Sequence, residues 1–98
     1  MRRPETIRTA NLCFALGHER RLRILKTLTS DPASGRTLGR LEMRTRLARA
    51  SLLHHLRQLE QAGLVRRRKR GAETEYSSDL APVRWLNGQL AGPVAALT

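Results

Sequence analysis

The stretch Leu47-Ala48-Arg49-Ala50-Ser51-Leu52-Leu53-His54-His55-Leu56-Arg57-Gln58-Leu59-Glu60-Gln61-Ala62-Gly63-Leu64-Val65-Arg66-Arg67-Arg68-Lys69-Arg70-Gly71-Ala72-Glu73-Thr74-Glu75-Tyr76 decides how the chain folds. Projected at about 100° per residue, Leu52, Leu56 and Leu59 fall on one narrow arc, which predicts a helix from Arg49 with an apolar inner face. The opposite arc holds Ala50, His54, Arg57 and Gln61, with Arg49 and Leu53 at its shoulder and Glu60 nearer the core side. Gly63 suits a C-terminal cap. Leu64-Val65 then opens a strand-like run that carries five consecutive cations, Arg66 to Arg70, to a turn at Gly71-Ala72-Glu73, and Thr74 to Ser77 can return as its partner.

Working outward, Pro4 and Glu5 suit a helix's first turn, and Ile7, Ala10, Cys13, Phe14 and Gly17 recur at spacings of three and four. This predicts a first helix over 4–16 with that apolar side inward, and Gly17 as its stop. Leu22, Ile24, Leu25 and Leu28 predict a second helix over 18–29, with His18 as its exposed start. Pro32-Ala33-Ser34-Gly35 is turn chemistry. Thr37 can cap a short third helix that carries Leu38 and Leu41 inward, and Thr45-Arg46 makes the next turn. Beyond the hairpin, Asp79 can cap a last helix with Pro82 in its first turn and Val83, Leu86 and Leu90 inside, ended by Gly92-Pro93.

Ninety-eight residues have room for one domain, and with aromatics at 3% its core must be mainly leucine. Nineteen Lys and Arg against eight Asp and Glu leave a net charge of +11, which predicts attraction to a polyanion. Charge alone does not separate DNA from RNA or an anionic membrane. The single Cys13 excludes an internal disulfide and, with three histidines, argues against a thiolate-rich metal site. On the apolar side of the first helix it is expected to be a buried structural thiol. His54 and His55 point about 100° apart on a helix and cannot readily chelate one ion, so DNA contact or packing is expected of them. No apolar run is long enough to span a bilayer and no secretory leader is evident, so a cytoplasmic location with no membrane partner is expected. No phosphate loop, nucleophile motif or poised carboxylate pair points to an enzyme, a catalytic residue or a cofactor.

The run Ala15-Leu16-Gly17-His18-Glu19-Arg20-Arg21-Leu22-Arg23-Ile24-Leu25 and the run Leu52 to Val65 resemble segments of the ArsR/SmtB family of winged-helix repressors. The resemblance spans about Leu12 to Tyr76 and implies a mainly α winged helix-turn-helix with a small β-hairpin, in the order α-α-α-α-β-β-α. It implies a homodimer built through 4–16 and 80–91, binding double-stranded DNA at a pseudo-palindromic operator, most often to repress. Such a helix would sit in the major groove, with Arg49, Leu53 and His54 nearest the bases. Ala50 shares that face, Ser51 and Arg57 would anchor the backbone, and Thr37 at the head of the third helix is a further candidate contact. Arg67, Arg68, Lys69 and Arg70 would grip phosphate or the minor groove as a wing.

The sequence departs from the family at several places. Arg46 stands where a glycine is usual, Glu42 where a small residue is usual, and Gly39 should weaken the third helix by about 1 kcal/mol relative to alanine. The Cys-x-Cys positions of soft-metal sensors fall on Thr37 and Gly39, and 80–98 contains no His, Asp or Glu. No metal site is therefore expected, and the effector, protein or small molecule, is open. The alternatives are a non-specific nucleic-acid architectural protein and a regulator acting through a partner protein.

Overall fold

The computed structural model describes residues 2–30 and 36–97, with side chains through residue 92. The expected turn Pro32-Ala33-Ser34-Gly35 lies outside the described residues. The elements run α1 (Arg3–Leu16), α2 (Glu19–Thr29), β1 (Arg36–Thr37), α3 (Leu38–Thr45), α4 (Arg49–Gln61), β2 (Val65–Arg70), β3 (Glu73–Ser78) and α5 (Ala81–Leu97). This is the winged helix-turn-helix order, with one addition. Arg36 and Thr37 pair with Tyr76 and Glu75 to make β1, so the sheet has three antiparallel strands in the order β1-β3-β2. Two residues cannot display a period of two, so only the tertiary pairing reveals that strand.

The break between α1 and α2 is steric and polar together. A Cβ on Gly17 would lie 2.9 Å from the Cys13 carbonyl oxygen, too close for any side chain. Arg21, only 5% exposed, then donates from Nε to the Ala15 carbonyl at 2.8 Å and from Nη2 to the Phe14 carbonyl at 3.2 Å. It thereby serves carbonyls in the last turn of α1, where the Phe14 carbonyl also accepts from Gly17 N–H at 3.3 Å. His18 caps α2, its Nδ1 accepting from Arg20 N–H at 3.2 Å, and is half-buried rather than exposed as expected.

Leucine dominates the core, as composition requires: Leu12, Leu25, Leu28, Leu41, Leu47, Leu52, Leu56, Leu59 and Leu64 are buried with Ile24, Val65 and Tyr76. Burying each such side chain contributes roughly 1.5–3 kcal/mol. The first helix, however, is turned away from its expected orientation. Thr9, Leu12 and Ala15 face inward, whereas Ile7 and Phe14 are 50% and 68% exposed and Cys13 is exposed. The apolar spacing is helical as expected, but the inward face is the other one, because two apolar rows exist on α1 and the packing against α2 and α5 selects the Leu12 row. Leu22 is likewise exposed, whereas its neighbour Arg21 is buried.

At the other end, Asp79 caps α5 as expected, Oδ1 accepting from Ala81 N–H at 3.0 Å. Leu86 is buried and Val83 half-buried, but Leu90 is exposed and α5 continues through Gly92-Pro93 to Leu97. Proline restricts its predecessor partly through that residue's Cβ, which Gly92 lacks, so the helical path past Pro93 is open at the cost of one hydrogen bond. No described helix is long and apolar enough to cross a membrane.

Candidate nucleic-acid interface

The turn that presents α4 is held from three sides. Thr45 is buried; its Oγ1 donates to the Leu41 carbonyl at 2.6 Å and accepts from Leu47 N–H at 3.3 Å. Arg23, itself paired with Glu19 at 2.6 Å, donates from Nη1 to the Thr45 carbonyl at 3.0 Å. Arg46 then takes φ 58°, ψ 26°, the left-handed conformation for which the family's usual glycine is suited. An arginine there carries a steric penalty that glycine avoids.

On α4, Leu52, His55, Leu56 and Leu59 are buried. Arg49, Ala50, His54, Arg57 and Gln61 are exposed, and Ser51 and Leu53 are half-buried. The expected outward face is therefore the exposed one. The helix itself contributes two guanidiniums and an imidazole and no carboxylate to this face, although Glu42 of α3 pairs with Arg49 at 2.6 Å. The adjacent histidines divide as the 100° offset of neighbouring helical positions requires, His54 to the surface and His55 into the core. Thr37 caps α3, its Oγ1 accepting from Arg40 N–H at 3.4 Å. Thr37 and Arg49 line one open cleft of about 370 Å³ with Leu38, Gly39, Glu73, Thr74 and Tyr76. Helix and wing thus meet around Arg49.

The wing starts from a tight helix end. Gly63 has φ 76°, Leu64 N–H donates to the Leu59 carbonyl at 2.9 Å and Gly63 N–H to the Glu60 carbonyl at 2.9 Å, the paired bonds of a glycine-terminated helix. In β2 and β3, Arg67 stands opposite Tyr76, Arg68 opposite Glu75, Lys69 opposite Thr74 and Arg70 opposite Glu73. The buried Tyr76 marks the inner face, so Arg67 and Lys69 share the side turned toward the helices and Arg66, Arg68 and Arg70 the other.

The wing cations are unequal. Arg66 Nη2 lies 2.7 Å from Asp79 Oδ2, Arg67 Nε 3.6 Å from Glu60 Oε1 and Arg70 Nη1 3.3 Å from Glu75 Oε1. The Ala81 N–H, foremost, and Arg66 together hold the Asp79 carboxyl below its ordinary range. Arg68 and Lys69 are exposed and, among the described residues, have no ion pair. Their charges are the least compensated of the run.

Two exposed cations lie outside the sequence reading. Arg40 and Arg44 are exposed on α3, the helix that precedes the turn, and line a shallow pocket of about 220 Å³ with Arg36 and Met43. Their spacing of four was a visible signal of a shared basic face. Metal ligation does not fit the residues present. Thr37 spends its hydroxyl on a helix cap and Gly39 has no side chain, and among the described residues no group of three or more His, Cys, Asp or Glu could hold an ion.

A helix-turn-helix whose second helix exposes a basic, carboxylate-free face beside a cationic hairpin defines a DNA-binding protein of the winged helix-turn-helix class. A profile of the helix-turn-helix domain family matches residues 16–68, and the chain belongs to that family, in its ArsR-type winged form. No curated protein sequence matches significantly. Among solved structures, the chain is similar to an ArsR-like transcriptional regulator from Rhodococcus sp. RHA1, with TM-score 0.83, 26% identity, and coverage of 96% of this chain and 86% of that one. HlyU from Vibrio cholerae gives TM-score 0.73 at 28% identity, covering 91% of this chain and 94% of its own. NolR from Sinorhizobium fredii gives 0.72 at 27%, covering 91% and 86%. The chain is a DNA-binding regulator by family.

Proposed function

We propose that this protein is a homodimeric, sequence-specific regulator that occupies a pseudo-palindromic operator and represses transcription there. The observation that carries the reading is the outer face of α4: Arg49, Ala50, His54 and Arg57 are exposed on one side of a helix whose other side is locked into the core. A rigid helix with donors on its free face can read base edges in a major groove. Arg49, Leu53 and His54 face bases in this reading, while Ser51, Arg57 and Thr37 hold the backbone. Arg68 and Lys69, with Arg67 and Arg70 beside them, grip phosphate from the wing.

The exposed apolar row of α1 supports the dimer. Ile7 and Phe14 together with Leu90 of α5 are large apolar side chains left in solvent on the two helices expected to pair. A two-fold axis through them would set two copies of α4 on successive major grooves. Repression is carried over from the resemblance to winged-helix repressors; BigR from Xylella fastidiosa, a transcriptional repressor, shares the fold at 24% identity. The reading includes no direct metal control, because Thr37 and Gly39 stand where soft-metal sensors carry their cysteines.

Selection from randomised duplexes tests the reading. Recovery of a two-fold-related motif, bound at least about a thousandfold more tightly than unrelated DNA, is expected. No motif, with a steep salt dependence, would replace it with the architectural reading. Sedimentation should give a dimer, and a chelator should leave operator affinity unchanged.

A further inference from the structure

Glu42 joins two helices across the turn between them. Its backbone carbonyl ends α3 by accepting Arg46 N–H at 2.9 Å. Its side chain reaches over that turn, and Oε1 accepts from Arg49 Nε at 2.6 Å. Glu42 is the more confined partner, its side chain 30% exposed against 63% for Arg49. An acid stands where the family usually has a small residue, and it touches the first residue of the recognition helix.

A guanidinium presents edges that can each serve a pair of acceptors, one through Nε and the adjacent terminal nitrogen and one through its two terminal nitrogens. Glu42 occupies the Nε atom, which leaves the terminal Nη1/Nη2 end pointing away from the carboxylate. Guanine offers O6 and N7 side by side in the major groove, a match for that end. A phosphate could use either edge, but a neighbouring carboxylate repels it. We propose that Glu42 is a positioning residue that makes Arg49 an end-on reader of guanine rather than a grip on phosphate. The inference rests on the place of Arg49 in the proposed interface.

Two consequences of opposite sign follow. Glu42 sharpens preference at the base pair that Arg49 faces, and it lowers affinity for DNA of any sequence by compensating one cation. A residue that only supported the fold would not separate these two effects.

The experiment compares wild type, Glu42→Ala, Glu42→Gln, Arg49→Ala and the double variant Glu42→Ala/Arg49→Ala. Each is assayed by selection from a pool of randomised duplexes and by binding to one unrelated duplex at fixed salt. Glu42→Ala is expected to lose about tenfold in guanine preference at one position while binding the unrelated duplex more tightly. Glu42→Gln should keep most of the preference, because its amide oxygen still accepts from Nε, yet share the tighter unspecific binding. The double variant should lose no more preference than Arg49→Ala. Should Glu42→Ala not fold by thermal melting, the unspecific binding of Glu42→Gln carries the comparison, and unchanged binding would overturn the proposal. Preference undisturbed in Glu42→Ala, or additive losses in the double variant, would overturn it as well. A wild-type protein that recovers no motif would overturn the operator reading and this inference together, whereas an intact wild-type motif with an indifferent Glu42→Ala removes this inference alone.

Discussion

The imidazole of His55, on the inner face of α4, packs 4.6 Å from that of His18 at the head of α2, centroid to centroid, with the planes tilted by 51°. His55 is 5% exposed and its Nδ1 has no hydrogen-bond partner. Helix α4 is thus joined to α2 through two imidazole rings in contact. Burial holds the His55 pKa below its ordinary 6.5, with further lowering from His18, Arg21, His54 and Arg20.

Stability should therefore depend on pH in one direction. Well above pH 6.5 His55 is neutral in both states and its contribution to stability is fully retained. As pH falls below that value the unfolded chain takes a proton that the folded chain refuses, so stability declines until the lower folded pKa is reached. Urea unfolding between about pH 8 and about pH 5 should show this loss, and His55→Phe should reduce it. An equally steep profile in His55→Phe would remove His55 as the cause.

Arg46→Gly should stabilise the protein by about 1 kcal/mol, since Arg46 holds φ 58° without the freedom of glycine. A rise in denaturant midpoint with unchanged slope is the expected readout. A lower midpoint would mean that the arginine side chain contributes more than its backbone strain removes.

Arg21→Leu should destabilise by about 2–3 kcal/mol, because it removes the charged donor from the Ala15 and Phe14 carbonyls at a buried site. Thermal unfolding followed by circular dichroism measures it. A change within error would show that water replaces the guanidinium there.

In the wing, Arg68→Gln with Lys69→Gln should weaken binding to all duplexes alike and reduce the slope of log affinity against log salt by about 0.9 for each phosphate no longer neutralised. Arg66→Gln with Arg70→Gln should do less, because Asp79 and Glu75 already compensate those charges. Equal effects from the two pairs would mean that DNA displaces the intramolecular partners. Altered base preference in the first pair would assign the wing a reading role.

Much of this molecule was legible from local pattern. Leu52, Leu56 and Leu59 at helical spacing determined the inner face of α4, Gly63 its end, Thr37 and Asp79 two of the caps, and Gly71 the hairpin turn, because each depends on neighbours within a few residues. The outer face with Arg49, His54 and Arg57 followed from the same period. Tertiary structure decided what a period leaves ambiguous. It chose Leu12 over Phe14 as the inward row of α1, exposed Cys13, buried Arg21 against the end of that helix, and paired Arg36–Thr37 with β3. It also divided the five wing cations into compensated and free, and placed Glu42 on Arg49 across seven residues. Those outcomes turn on distances between segments, which a one-dimensional pattern of apolar and charged residues does not encode.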